Sequence, residues 1–563
     1  MDRLSDSVEF EDKPCDYCSK NVCKPLQPGE LGFIPFAELV VAHTKGVPDL
    51  PAIMGPNNKA IPTVPNDHLK YRVDYNGPDD PLNPLNWSRF QRIFHIAMVC
   101  YAGMVVMWGM TVWASVEKFL KPIYHLSWSV CGLGLALYIM GLMAGPGVWI
   151  PLSQLHGRRP MLVYSMLGAT VFTWWTSTAQ YYYQFMIYRF FTGAFGAGAL
   201  SISVDVFKDL STRRSVVDTS ISVYTIMSFG APVLAPWVSD CVGFSFLGWR
   251  WMFTLQGIMM SSSFVLLLLF FRETSSPVVL QSKARYLRIR TGNRFIYSAH
   301  DHTFLDLSLV IHNFFAGPIK FLTADPILAV VSIYQGFLFA LLYLTMEGIP
   351  LTFLRYGWNG PLTAICSLSM FIGMVIASAV QIFITNPQYR RYAKEIDVPE
   401  SPPLRLWTML PGAIVLPISL FWWFWTGFYL VHWICPTIAM AFTGFGLVTA
   451  YAPALNFVYV SYNISPEVAL SANSITRALM MGMCPFFVKA MYFTLGMEWA
   501  GTLLGCLATV LGALPYIVFW VIPLWGHPAK DETHKEYRKG RWEKILHNQI
   551  IKQALTKIDS HDD

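Results

Sequence analysis

The sequence predicts an all-α protein that crosses a membrane many times, and three observations support this. Hydrophobic residues make up 54% of the 563 residues, and charged residues only 13%, where a soluble domain carries about 25%. The charges are concentrated at the two ends of the chain and in short clusters. The stretches between them reach about 20 apolar residues, enough to cross a hydrocarbon core of about 30 Å.

Twelve apolar stretches have the length of membrane spans, and a polar insert divides them into two groups of six. The first six are 93–115, 130–152, 160–178, 184–203, 216–238 and 250–271. The second six are 327–351, 361–384, 408–427, 432–452, 473–495 and 501–525. The predicted domains are a largely disordered cytoplasmic tail over 1–92, a first half over 93–271, a cytoplasmic loop over 272–326, a second half over 327–525 and a basic amphipathic cytoplasmic tail over 526–563.

The distribution of Lys and Arg predicts which loops face the cytoplasm. Sixteen of these cations lie in loops on the side of both termini, and four lie on the other side, namely Lys118, Lys121, Arg250 and Arg355. Cytoplasmic loops carry an excess of Lys and Arg, so both termini and the Arg158–Arg159 turn are predicted to be cytoplasmic. The net charge of +6 is therefore explained by membrane-flanking loops, and no nucleic-acid partner is predicted.

The two halves repeat one feature, and the tails add little chemistry. The second span of the first half ends at Arg158–Arg159, and its counterpart in the second half ends at Arg390–Arg391. This predicts two repeats that pack face to face around a site near the membrane midplane.

Cys15, Cys18 and Cys23 lack a fourth residue at the spacing of a structural zinc site, so no metal and no cofactor is predicted.

Several stretches, in order along the chain, resemble one family. They include "DPLNPLNWS" (80–88), "GRRP" (157–160), "RFFTGAFGAGAL" (189–200), "APVLAP" (231–236), "GWRWMF" (248–253), "ETSSPVVLQ" (273–281) and "SANSITRALM" (471–480). On these stretches the chain resembles the major facilitator superfamily, in its fungal twelve-span drug:proton antiporter branch. The resemblance implies twelve transmembrane helices in two six-helix halves around a central cavity.

The resemblance also implies a function, with alternatives left open. It implies a transporter, not an enzyme, that exports drugs, toxins or fungal secondary metabolites in exchange for protons by alternating access. The expected partners are the small-molecule substrate, protons and the lipid bilayer, and the expected state is a monomer in the plasma or vacuolar membrane. The alternatives are a polyamine or small-solute carrier and a non-pumping receptor or scaffold. Gln154 and Val460 favour the scaffold, because the family usually carries acids at both positions.

Gln154, Gly157, Arg158 and Arg159 are the predicted cytoplasmic gate. In the resembled family the arginines of this turn pair with acids and helix ends. Gln154 cannot form the charge-assisted bond of the usual acid, which predicts a weaker gate. The alternative interpretation is that the two arginines only keep the turn on the cytoplasmic side.

Six polar residues inside or beside the spans are the predicted coupling or substrate residues, namely Arg189, Asp205, Glu347, Asn473, Arg477 and Lys489. A central membrane arginine costs about 2.5–3.5 kcal/mol, so Arg189 needs acceptors. The predicted first span contains no acid, which leaves carbonyls, water or substrate. Glu347 is the predicted group that changes charge, with Lys489 as an approaching cation. The alternative is that Glu347 hydrogen-bonds a neighbouring helix and never titrates.

Four further residues of the motifs are predicted to act in helix packing. Gly193 and Gly196 allow neighbouring helices to approach closely. Pro232 and Pro236 belong to the fifth-span motif, which in the family usually ends in paired glycines. Here Trp237 and Val238 follow instead, which predicts looser packing of this span.

Overall fold

The computed structural model describes residues 72–77, 79–291, 296–298, 322–323, 325–358, 361–388, 391, 407–461, 466–514 and 517. The N-terminal cysteines, Arg390 and most of both predicted tails lie outside these residues, as does the side chain of Val460. Within the described residues the structure is helical, and its one extended feature is a single bridge between Arg72 and Tyr297.

The first half contains six helices. They are α1 (Arg89–Tyr124), α2 (Trp128–His156), α3 (Arg158–Thr178), α4 (Tyr182–Asp209), α5 (Arg214–Gly243) and α6 (Arg250–Phe270). A seventh, more polar helix, α7 (Ser276–Thr291), follows this half. Each predicted span of the first half lies on one of the six helices.

The second half repeats the pattern. Its helices are α8 (Pro326–Leu354), α9 (Pro361–Ile365), α10 (Ser367–Val380), α11 (Leu410–Thr426), α12 (Ile434–Ser461), α13 (Pro466–Leu495) and α14 (Met497–Gly512). A π-helical turn, Gln381–Thr385, extends α10, so Pro361–Gln388 forms one crossing segment. In the part of the chain that the structure describes, nine helices are long and apolar enough to cross a membrane.

Local sequence explains where the helices begin. Ser88 and Gln91 form a reciprocal capping box at the start of α1, with Gln91 N–H donating to Ser88 Oγ at 3.3 Å. Asp325 caps α8 by accepting the backbone N–H of Ile327 at 2.9 Å. Gly157 separates α2 from α3 with a φ of 102°, which a residue with a side chain rarely adopts.

The first predicted span was too short, and the statement that it contains no acid was wrong. The prediction ended at residue 115, whereas α1 continues to Tyr124 and carries Glu117. Three charges between 117 and 121 suggested a loop. Glu117 is instead buried. Its charge is compensated by an ion pair with Lys489 inside the bundle, so it does not need solvent.

Glycines set the closest helix contacts within the first half. A Cβ atom at Gly193 of α4 would lie 2.1 Å from the Tyr138 carbonyl oxygen of α2. A Cβ atom at Gly196 would lie 2.9 Å from Val106 Cγ1 of α1. At these distances there is no room for a side chain at either position. Pro236 contributes through its carbonyl oxygen, which accepts the Ser115 hydroxyl of α1 at 3.2 Å.

Most of the packing between the halves lies along two pairs of helices. α2 packs against α13, and α5 packs against α10. The first contact is close, since a Cβ atom at Gly132 would lie 3.0 Å from the Pro485 carbonyl oxygen. In the second contact a Cβ atom at Gly230 would lie 2.5 Å from the Phe371 ring. The interface between the halves is therefore bounded by these four helices.

The packing at Gly193 leads to a stability prediction. Gly193→Ala should lower the stability of the purified protein by about 1–3 kcal/mol, because the added methyl group meets backbone that cannot turn away. The matched control is Gly482→Ala in α13, where the nearest neighbour of the new Cβ would be Ile139 Cγ2 at 3.5 Å. The midpoint of thermal unfolding in detergent measures both changes. Equal midpoints for the two variants would contradict the packing role.

Candidate functional site

A cavity lies between the two halves, with an empty volume of about 640 Å³. Helices α1, α2, α4 and α5 of the first half and α8, α12 and α13 of the second contribute to its wall. The described lining residues are Met107, Met110, Ile139, Leu142, Pro146, Leu200, Ser201, Tyr224, Ser228, Phe339, Tyr451, Ser474, Arg477, Ala478 and Met481. The wall is thus mostly apolar, with a few hydroxyl groups and one cation.

Arg477 is that cation, and only neutral groups hold it. One terminal nitrogen of its guanidinium donates to the Tyr451 hydroxyl, and the other donates to Ser474 Oγ at 2.9 Å. The guanidinium carbon lies 4.9 Å from the centroid of the Phe339 ring. Among the described residues, Arg477 Nε is buried without a hydrogen-bond acceptor. The structure therefore places this predicted residue in the cavity.

A second polar cluster lies at the outer end of the bundle, the end at which α1 and α13 finish. Lys489 of α13 forms an ion pair with Glu117 of α1, so the pair joins the two halves. Only 6% of the Glu117 side chain is exposed, against 20% for Lys489. Glu347 of α8 accepts a hydrogen bond from the Tyr343 hydroxyl at 3.1 Å. The negative charges of Glu347 and Glu117 repel each other.

Glu117 is the candidate site residue that sequence reasoning missed. Lys489 and Glu347 were singled out together, and the structure adds Glu117 as an ion-pair partner of Lys489. A signal was present, since the buried apolar residues Trp113, Val116 and Leu120 surround Glu117 at helical spacing. That periodicity indicates that the helix continues past residue 115 with Glu117 on its buried face.

The residues of the predicted cytoplasmic gate lie at the turn between α2 and α3, at the opposite end of the bundle, which we name the inner end. Glu273 accepts the backbone N–H of Arg158 at 2.8 Å and that of Arg159 at 3.1 Å. It also accepts the N–H groups of Thr274 and Ser275. Burial raises the pKa of the Glu273 carboxyl, and the N–H groups that donate to it oppose this shift. Four donors on the two oxygens are the pattern of an ionised carboxylate.

Gly157 allows this contact to form. A Cβ atom there would lie 2.3 Å from Glu273 Oε2, so a larger residue would displace the carboxylate. Gln154 is partly buried on the preceding turn. The turn thus has an acidic partner although position 154 is glutamine. The sequence signal for Glu273 was its place at the start of the motif that directly follows the sixth span.

Asp205 lies at the inner end of α4 and is not among the described residues that line the cavity. Its carboxylate lies 3.1 Å from a terminal nitrogen of Arg158. Asp209 accepts Arg158 Nε at 3.3 Å, and Ser153 Oγ accepts the same guanidinium at 2.7 Å. α4 ends at this point, and Asp205 stands one turn before its last residue, so both acids reach the turn.

The halves also touch at the inner end. Asn456 of α12 donates to the Asp218 carboxylate of α5 at 3.1 Å, next to a polar pocket of about 330 Å³. The Lys208 ammonium of α4 lies 3.7 Å from the centroid of the Tyr459 ring of α12. Contacts between the halves therefore exist at both ends, with the cavity between them.

Arg189 ties three helices of the first half together. Its side chain is 1% exposed, and its N–H groups donate to three backbone carbonyls, those of Gly109 at 2.8 Å, Met110 at 3.0 Å and Gly134 at 3.3 Å. The Tyr138 ring centroid lies 4.5 Å from the guanidinium carbon. Arg189 is thus satisfied by carbonyls, one of the three predicted kinds of partner, and does not line the described cavity.

Asn473 has a similar place in the second half. Its amide donates to the Gln335 side-chain oxygen at 2.7 Å, which joins α13 to α8. Asn473 is fully buried and is not among the residues that line the cavity. Of the six predicted coupling or substrate residues, only Arg477 therefore lies in the cavity wall.

Comparison with known proteins agrees with this architecture. The family model described as "Major Facilitator Superfamily" matches residues 97–484, which is more than half of the chain. The chain belongs to the major facilitator superfamily. It is accordingly a transporter and an integral, multi-pass membrane protein, and not an enzyme. The predictions of its fold and general class are confirmed.

Several relatives within the superfamily are fungal. The chain is 33% identical over 476 residues to the major facilitator superfamily multidrug transporter FLU1 of Candida albicans, covering 84% of this chain and 78% of that protein. It is 34% identical over 470 residues to the multidrug transporter TPO1_2 of Candida glabrata, covering 82% and 80%. It is 31% identical over 454 residues to the ascochitine biosynthesis cluster MFS transporter of Didymella fabae, covering 80% and 87%.

Solved structures support the same fold. The proton:xylose symporter XylE aligns with a TM-score of 0.54 at 16% identity, covering 78% of this chain and 96% of XylE. The human organic anion transporter MFSD10 aligns with a TM-score of 0.52 at 14% identity, covering 76% of this chain and 100% of MFSD10. At these identities the likeness concerns the fold alone.

The contacts of Glu273 lead to a prediction for the inner end. Glu273→Gln should cost about 1.5–3 kcal/mol, because the amide keeps one acceptor oxygen and loses the charge that strengthens these bonds. The control is Glu498→Gln, which removes a partly exposed ion pair with Arg355 and should cost less than about 1 kcal/mol. Thermal unfolding of both purified variants measures the difference. A larger loss in the control would contradict the capping role of Glu273.

Proposed function

We propose that this protein exports small organic molecules in exchange for protons by alternating access. The cavity between the halves supplies a mostly apolar binding place with a few polar groups, which is the usual lining of a small-molecule site. Two similar proteins are named multidrug transporters, and a third belongs to a biosynthesis cluster. These names support a drug, toxin or fungal secondary metabolite as the exported class. The proposal includes cytoplasmic termini, a monomer, the predicted domain boundaries, and a plasma or vacuolar membrane.

The Glu117–Lys489 ion pair is the observation that supports proton coupling. It joins α1 of the first half to α13 of the second, at the end predicted to face away from the cytoplasm. Protonation of Glu117 removes one of the two charges and thus the attraction between the helices. The charge state of Glu117 and the separation of the halves are therefore linked, and this linkage is reciprocal.

The reciprocal linkage is what a coupled transporter requires. When the outer end opens, Glu117 loses the ammonium of Lys489 and its proton affinity changes. A proton taken up in one state is then released in the other, and each such charge that crosses 100 mV contributes about 2.3 kcal/mol. Transport in exchange for protons can therefore depend on a single carboxylate of this kind.

Glu347 is the second carboxylate of the same cluster. Its electrostatic interaction with Glu117 supports a role in accepting either the proton or Lys489 when the pair separates. The Tyr343 hydroxyl, one turn earlier on α8, orients the Glu347 carboxylate at 3.1 Å. We therefore assign proton coupling to the cluster of Glu117, Glu347 and Lys489, with the ion pair as its first part.

Glu117→Gln tests the coupling. The variant should no longer accumulate substrate against its concentration gradient when a pH gradient is applied, because an amide cannot bind and release the coupled proton. It should still exchange substrate down its concentration gradient. The assay uses proteoliposomes with an acidic lumen and two permanently charged fluorescent probes, the anion 2-naphthalenesulfonate and the cation ethidium. Glu347→Gln should reduce the gradient-driven step as well.

Glu498→Gln is the matched control, since it removes a carboxylate at the same end whose side chain is 30% exposed. It should keep gradient-driven transport. If the Glu117→Gln variant accumulates a probe as well as the wild-type protein does, with the same dependence on the pH gradient, Glu117 has no coupling role. If the wild-type protein concentrates neither probe, the proposed export function itself is wrong.

A further inference from the structure

We propose that Arg477 makes the central cavity selective for anionic aromatic small molecules. This inference rests on the proposed export function and names the chemical class of its substrate. Three observations carry it, namely the charge of the cavity wall, the incomplete hydrogen bonding of Arg477 and the shape of the apolar groups in the wall.

The charge of the wall is one-sided. Arg477 is the one cation among the described lining residues, and no Asp or Glu is among them. The carboxylates of the outer cluster and of the inner turn belong to other contacts. An anion in the cavity therefore meets a guanidinium without competition from a protein carboxylate in the wall. A cation meets a like charge there, which disfavours its binding.

The comparison with Arg189 distinguishes a binding arginine from a packing arginine. The N–H groups of Arg189 donate to three backbone carbonyls, and its side chain is enclosed. Arg477 is only partly buried and donates to two hydroxyl groups, those of Tyr451 and Ser474. Hydroxyl groups are weaker acceptors than an anion, because charge-assisted bonds are roughly twice as strong as neutral ones.

One buried polar atom of the wall, Arg477 Nε, is without a hydrogen-bond acceptor among the described residues. A buried polar atom that stays unpaired costs free energy, so a ligand that accepts from this N–H group would be favoured. An oxyanion with several acceptor oxygens has this property, and a hydrocarbon or an ammonium ion does not.

The remaining wall suits a flat aromatic body. The rings of Tyr224, Phe339 and Tyr451 line the cavity together with Met107, Met110 and Met481. Aromatic rings stack on planar ligands, and methionine side chains adapt to irregular shapes. The guanidinium lies over the Phe339 ring, so a ligand that binds Arg477 has its apolar part next to these groups.

The test compares three ligands of nearly equal shape and different charge. They are 2-naphthalenesulfonate, neutral 2-naphthalenesulfonamide and the cationic (2-naphthylmethyl)trimethylammonium ion. Their dissociation constants for the full-length protein in lipid nanodiscs are measured by naphthalene fluorescence. We expect the wild-type protein to bind the sulfonate at least about tenfold more tightly than the sulfonamide, and the cation most weakly. This ranking requires no variant.

Arg477→Gln should weaken binding of the sulfonate at least about tenfold and leave binding of the sulfonamide within about threefold. Arg477→Lys keeps the charge but not the planar donor fork, so it should bind the sulfonate with intermediate affinity. Unchanged sulfonamide binding shows that the variant is folded. If Arg477→Gln does not fold, the inference is tested by the order of the three ligand affinities in the wild-type protein and by the sulfonate affinity of Arg477→Lys.

Two results would overturn the inference. One is a wild-type protein that binds the cation as tightly as the sulfonate. The other is sulfonate binding that Arg477→Gln does not weaken. If proteoliposomes concentrate ethidium and not the sulfonate, this inference fails while the proposed export function stands. If the wild-type protein concentrates neither probe, the function fails and the inference with it.

Discussion

Charges buried inside a membrane-spanning bundle need acceptors or opposite charges, because an uncompensated charge in apolar surroundings costs several kcal/mol. Most of the internal polar structure of this transporter follows from that constraint. Arg189 is compensated by three carbonyls, Arg158 by Asp205 and Asp209, and Lys489 by Glu117. These contacts hold α1, α2 and α4 together and define the two ends of the bundle.

The two ends differ in how their charges are arranged, and this difference suits alternating access. At the inner end, the ion pairs of Arg158 lie within the first half, and the described contacts between the halves, Asn456–Asp218 and Lys208–Tyr459, are not ion pairs. At the outer end, the Glu117–Lys489 pair connects one half to the other. A contact within one half survives a rocking movement, whereas a contact between the halves must break. Proton-dependent chemistry is therefore best placed at the outer end, while Arg477 belongs to the cavity between the ends.

Much of the fold was predictable from sequence, and less of the site. As far as the structure describes them, the predicted spans lie on helices, because a run of apolar residues long enough to cross the membrane is visible in any single stretch. The end of α1 was missed because Glu117, Lys118 and Lys121 have the composition of a loop. Whether such charges are solvated or paired depends on which helix packs against them. The pairing of Asp205 with Arg158 was not visible in the sequence for the same reason, since Arg158 belongs to another helix.

The sequence by itself determined the membrane class, the two groups of six spans, the close approach at Gly193 and the presence of cations in the spans. These are properties of short stretches, set by apolar length, residue size and charge count. Only the tertiary structure decided that Lys489 pairs with Glu117, 372 residues earlier in the chain, that Arg189 faces carbonyls, and that Arg477 faces the cavity. The physical reason is that a charge finds its partner in space, and the distance between helices that are remote in the chain is set by the packing of the whole bundle.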